Sequence, residues 1–156
     1  MLLLTGADLT IVKSSAVVSD PVNLTFPKRV PGSVVDYTIN VTNPNGALTT
    51  VNGIAITDAV PANTDLRVAD LGLLNTGPIV FTDGLLPPSL LAYSFSSLSS
   101  GTDRLDFSRD NGATWTYTPV ADGNGYDRQV TNIRVRLGGN QVAGSSFSLR
   151  FRVRVR

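Results

Sequence analysis

The side chains in this chain that could do chemistry are few in kind: Asp, Ser, Lys and Arg. The sequence has no His, no Cys and no Glu. Imidazole bases, thiolate nucleophiles, disulfides and the usual zinc or copper ligands are therefore excluded. Serine without histidine gives no activated nucleophile. Paired-carboxylate chemistry would have to use two Asp, because all 12 acids are Asp. Asp103 and Asp106 are close in sequence, but nothing in the spacing places them in a cleft. The expectation is a protein that is not an enzyme and uses no cofactor.

Two segments have ordered spacing. Ser108-Arg109-Asp110-Asn111-Gly112-Ala113-Thr114-Trp115 fills every fixed position of S-x-D-x-G-x-T-W, and resembles the Asp box of sialidases and related propellers. The physics of that motif is local: the carboxylate accepts hydrogen bonds from turn amides, Gly allows positive φ and Trp packs beneath. Sialidase propellers carry several copies on far longer chains. One copy predicts a hairpin staple of Asp110, Gly112 and Trp115, with Leu105 and Phe107 leading in and Tyr117 leading out. Asp122-Gly123-Asn124-Gly125-Tyr126-Asp127 is rich in oxygen ligands, which makes Asp122, Asn124 and Asp127 a weak calcium candidate. Its sixth and twelfth positions are Asp127 and Ile133, not the Gly and Glu of an EF-hand, so the reading taken is a turn and no metal site.

Charge is unevenly distributed. Residues 130–156 hold six Arg and no acid. The first 129 residues carry seven cations against twelve carboxylates, so a +6 segment follows a −5 body in a chain of net charge +1. Pairing 130–137 with 146–155 as a hairpin would line Arg134, Arg136, Arg150, Arg152 and Arg154 along one sheet face. Such a basic face either pairs with Asp on neighbouring strands or seeks an acidic polysaccharide, the cell envelope or another subunit's acidic side. Nucleic acid is not expected, since no aromatics interleave with the Arg. Lys13 is the one good candidate for an internal Lys–Asn isopeptide bond, which needs a buried Lys beside Asn and an acid.

The elements that must position these residues are strands. With no Glu and only Lys13 and Lys28 as lysines, the raw material of exposed helices is nearly absent. The clearest strand is Val34 to Thr42, with Val35, Tyr37, Ile39 and Val41 on one face, opened by Pro31-Gly32 and closed by Asn43-Pro44-Asn45-Gly46. Phe147 to Arg156 alternates without a break, and Ile133, Val135 and Leu137 alternate with Arg134 and Arg136. Shorter strands are expected at Asp8–Lys13, Ala16–Val18, Val51–Thr57 (with a bulge at Asn52-Gly53), Ile79–Thr82 and Ala92–Ser96. Eight or more strands with turns every 8–12 residues predict an all-β chain: one immunoglobulin-like antiparallel β-sandwich domain over 7–156, preceded by an arm or stub at 1–6. No stretch approaches the roughly 20 apolar residues of a membrane span, and Met1–Gly6 is too short for a signal peptide.

Ala7–Lys13, Pro31–Asn43 and Ile56–Thr64, in that order, resemble the conserved-repeat surface-protein family called domain of unknown function eleven. The chain would be a single-copy exported bacterial member. The resemblance implies an immunoglobulin-type sandwich, an extracellular or cell-surface location and a role in structure or adhesion; it carries over no catalytic or ligand residues. The resulting expectation is a subunit of a surface assembly, a homopolymer in which residues 2–12 of one copy, through Leu2, Leu4, Leu9 and Ile11, add a strand to the next. The alternative is a monomeric adhesion or carbohydrate-binding module.

Overall fold

The computed structural model describes residues 8–46 and 49–156. Eleven strands and no helix occur among them. The larger sheet runs from β1 (Thr10–Ser19) through β2 (Val34–Thr42) to β11 (Ser146–Val155). Beyond β11, β5 (Thr64–Arg67) and β6 (Val80–Asp83) share one edge, and β8 (Tyr126–Asp127) pairs with β5. The smaller sheet has the order β4 (Ala55–Ala59), β9 (Asn132–Arg136), β7 (Leu105–Ser108). A two-residue ladder joins β3 (Val51–Asn52) to β10 (Asn140–Gln141), and every pairing is antiparallel.

The fold is an all-β, single-domain antiparallel sandwich. Period-two alternation builds it. Val35, Ile39 and Val41 of β2 and Phe147, Leu149, Phe151 and Val153 of β11 point inward. They meet Ile56, Leu105, Phe107, Ile133 and Val135 of the smaller sheet in one core. Aromatic rings fix the packing, with Tyr37 stacked on Phe151 at 5.4 Å and Phe81 on Phe147 at 5.8 Å.

β2 spans the expected residues and β11 has the expected unbroken alternation. Several local expectations change. Asp8–Lys13 and Ala16–Val18 fuse into one ten-residue β1, because β2 offers it a partner along its whole length. Asn52-Gly53 is not a bulge within a strand. Gly53, at φ +64°, is a corner from which β3 and β4 leave for different partners. Ala92–Ser96 makes one isolated bridge, Ala92 to Gly138, in place of a strand. The hairpin expected across Asp110 is incomplete: β7 pairs with β9, and on its other edge only Tyr117 N–H donates to the Phe107 carbonyl, at 3.3 Å. The next ladder bond would need a donor at Pro119, which has no N–H.

The two Arg rows do not form a hairpin either. β9 lies in the smaller sheet and β11 in the larger, so Arg134 and Arg136 occupy one outer face of the sandwich and Arg150, Arg152 and Arg154 the opposite one. The sequence pattern fixes which face of its own sheet each Arg takes, not which sheet each strand joins.

Candidate functional site

Each Arg row faces carboxylates, and one arrangement repeats three times: a single Asp gripped by an Arg-x-Arg pair on the adjacent strand or, for Arg156, one residue past its end. Asp36 stands opposite Arg152 and accepts bonds from Arg152 at 2.6 and 3.0 Å and from Arg150 at 2.7 Å. Asp106 stands opposite Arg134 and accepts from it at 2.9 Å and from Arg136 at 2.7 and 3.0 Å. Asp65 stands opposite Arg154, bonds it at 2.8 Å and has Arg156 at 3.4 Å. Burial pushes the Asp36 carboxyl up, but the hydrogen bonds and charge of Arg152 and Arg150 outweigh it and hold the group below its ordinary value. The charge asymmetry along the sequence is therefore not a separation in space. All six tail arginines are paired with carboxylates of the chain, and they divide between two opposite faces of the sandwich.

The Asp110 turn is a closed hydrogen-bonded unit. Its Oδ1 accepts from the Ser108 hydroxyl at 2.6 Å and the Thr114 amide at 2.8 Å, and its Oδ2 from the Thr114 hydroxyl at 2.6 Å. These donors, Ser108 foremost, hold the carboxyl at about 2. Asn111 and Gly112 both take positive φ, and the Arg134 guanidinium lies 4.6 Å from the Trp115 ring centre. At 122–127 the carboxylates are likewise occupied. Asp122 accepts from the amides of Tyr126 and Asn124 and from Arg154, and lies at about 2, with the Tyr126 amide the largest cause. Asp127 accepts from the Tyr117 hydroxyl and the amides of Val120 and Gln129. Both carboxylates serve as turn staples.

The open chemistry of the molecule lies along one side. β1 pairs only with β2, and β4 only with β9, so among the described residues each sheet ends in an unpaired edge there. The three-stranded sheet is too narrow to cover β1, of which only Val17 is even half-buried. Ile11 points toward the interior side of its sheet, opposite the core residue Val41, yet is 56% exposed. Between the two edges runs a groove of about 360 Å³ lined by Ile11, Lys13, Ile39, Ala55, Ile56, Thr57 and Asp58. Lys13 spans it, with Nζ 2.6 Å from Asp58 Oδ2 and over the rings of Tyr37 at 5.0 Å and Phe151 at 5.4 Å. The partner of Lys13 is thus a carboxylate, not the amide that a Lys–Asn isopeptide bond requires. Leu9 packs half-buried against the core, while Leu2 and Leu4 lie outside the described residues.

Two further features escaped the sequence reading. The connection from β1 to β2 presents Val22, Leu24 and Phe26 almost fully to solvent, at 77%, 104% and 88% exposure. It is pinned by Asp20, whose carboxylate accepts from the amides of Asn23, Lys28 and Val22, a grip that holds it well below the usual carboxylate range. Asp20-Pro21 is the turn-initiating pair that signals such a loop. A second cleft, about 460 Å³, lies between β6 and residues 93–95, walled by Leu73, Ile79, Phe81, Tyr93 and Phe95 with Asn75, Thr76 and Ser94 at its polar side.

The chain matches no protein-family model, no curated protein and no solved structure. Its likeness to the conserved-repeat surface family rests on the three sequence blocks alone.

Proposed function

We propose that this chain is a structural subunit of an extracellular or cell-surface assembly, a filament that polymerises by exchanging a strand between copies. The observation that carries this reading is the pair of unpaired edges flanking one groove. A long, exposed, apolar edge strand is a template for main-chain pairing with another chain, and stable monomers usually bulge, shorten or cover such edges. β1 is ten residues long, has Ile11, Val12 and Val18 exposed, and carries one register shift near its end, between Val17 and Ser19. The apolar loop of Val22, Leu24 and Phe26 adds surface that suits a neighbouring subunit better than water. The three resembling blocks support the same surface role. No helix of the described residues is long and apolar enough to cross a membrane.

A monomeric adhesion or carbohydrate-binding module is the second reading, favoured by the aromatic walls of the cleft at Phe81, Tyr93 and Phe95. Negative-stain electron microscopy of the purified protein separates the two. Fibres are expected. A uniformly monodisperse particle that binds glycans and loses binding on Tyr93→Ala would replace the filament reading with the module.

A further inference from the structure

The filament reading leaves open where an exchanged strand would go, and the unequal widths of the two sheets point to a place. Among the described residues β4 ends the smaller sheet with an unpaired edge of five residues. A strand added there would lie across the groove, directly over the inner face of β1. It would cover Ile11, which faces inward yet stays 56% exposed, and would extend the narrow sheet by the strand it lacks opposite β1. Main-chain donors and acceptors along β4 supply the affinity of such an addition, and alternate side chains of the incoming strand fill the groove.

We infer that this vacancy is the acceptor site, and that its occupant is the segment Met1–Gly6 of a second copy. The inference rests on the filament reading. Three observations select that segment. It carries four consecutive apolar residues, Met1 to Leu4, and no charged side chain. The groove it would enter is apolar at Ile11, Ile39, Ala55 and Ile56, and its only charges, Lys13 and Asp58, already neutralise each other at 2.6 Å. The acceptor edge is short: at about 3.3 Å per residue the five residues of β4 span about 17 Å, so a five-residue stretch of this segment suffices to pair along it. The groove residues Ile11 and Lys13 lie downstream of the arm on β1 itself. For a copy to fill its own groove, the chain would have to leave Thr10, reverse direction between Gly6 and Leu9 and cross to the other sheet. A second copy enters extended, with no reversal. The contact joins the arm of one subunit to the groove of another, so it does not close on itself and propagates as a chain.

The absence of cysteine makes the test direct. Thr57→Cys on the β4 edge is combined in turn with Leu3→Cys and Leu4→Cys, which between them sample both faces of an added strand. Thr57→Cys alone serves as the control, and circular dichroism confirms that each variant is folded. Under mild oxidation, at least one double variant is expected to give a ladder of covalent oligomers on a non-reducing gel, absent from the control and collapsed by reductant. In parallel, the variant lacking residues 1–6 is expected to remain a folded monomer that binds a fluorescent Met1–Asp8 peptide saturably. Ile11→Arg, which puts a charge on the inward face of the groove, is expected to weaken that binding at least tenfold. A disulfide formed only within single chains would show that the arm closes its own groove and would overturn the inference. Fibres that persist with no cross-link above the control would overturn the site while leaving the filament reading intact. Wild-type protein that forms no fibres and no cross-links would overturn both.

Discussion

β1 and β11 are the same length, ten residues each, and both pair with β2, one on either side, yet they do different work. β11 is central. Its inner residues Phe147, Leu149, Phe151 and Val153 are buried, its outer Arg are ion-paired, and β5 and β6 close its second edge. β1 has a comparable ladder to β2 but almost no burial, and no main-chain partner beyond it among the described residues. Hydrogen bonding alone therefore does not set a strand's contribution to the fold, because each bond only exchanges water for protein. Burial does. β11 holds the sandwich together, whereas β1 is attached to it and available.

The largest break in this comparison should come from β11. Phe151 is 1% exposed and stacked on Tyr37. Phe151→Ala leaves a ring-sized cavity between the sheets, and a loss of about 3–5 kcal/mol is expected by urea denaturation. A loss under about 1.5 kcal/mol would mean that the centre of the sandwich can collapse around the gap, and the contrast between the two strands would then rest on edge pairing alone.

This difference was only half legible in the sequence. Alternation alone gave the span of β2 and the inner residues of β11, because period two reports which side chains face a core. It does not report which strands are neighbours. Alternation therefore sets Arg134 and Arg136 beside Arg150 and Arg152, whereas they lie on opposite sheets. The repeated fit of one Asp to an Arg-x-Arg pair is long-range, joining residues 36 with 150 and 152, and 106 with 134 and 136. No local window contains it. The Asp110 and Asp122 staples were legible because they are local: each carboxylate serves amides within four residues. The groove beside β4 was not, because it arises from the mismatch in sheet width, a property of the assembled fold. Leu9 and Ile11 read as apolar in the sequence, but nothing in their spacing says that Ile11 faces inward and stays more than half exposed.

Acid sharpens the comparison at an intermediate scale. Asp36 on β2 is held below its ordinary value in the fold, and Asp110 and Asp122 lie at about 2. For a carboxylate whose pKa is lowered by folding, the stabilisation is complete above the unfolded value and is lost as pH falls through the folded one. Stability is therefore expected to be flat above about pH 5 and to decline from about pH 4 to pH 2, as thermal melts across that window would read. These carboxylates clasp β11 or staple turns; β1 carries no acid, and its single ion pair is Lys13 to Asp58. Asp36→Asn should remove part of the decline and lower stability at neutral pH. An unchanged acid profile in that variant would mean that the Arg clasp on β11 contributes little in water, as exposed ion pairs often do.

The smallest expected effect on stability is also the one that separates fold from assembly. Ile11 is paired to Val41 and points inward, but more than half of it is exposed in the groove. Ile11→Thr keeps the β-branched shape that suits a strand and removes apolar surface that is mostly wet. A fully buried Ile contributes about 1.5–3 kcal/mol, so trimming a side chain that is less than half covered to a smaller β-branched one should cost about 0.5 kcal/mol in the monomer. If the groove receives an apolar strand from another copy, that same methyl surface is dry in the assembly, and the change recurs at every subunit contact. Pelleting assays and urea melts on the same samples then diverge: monomer stability barely moves, while the concentration needed for assembly rises severalfold. A cost above about 2 kcal/mol in the monomer would instead make the inner face of β1 part of the core, and the two ten-residue strands would differ in degree only.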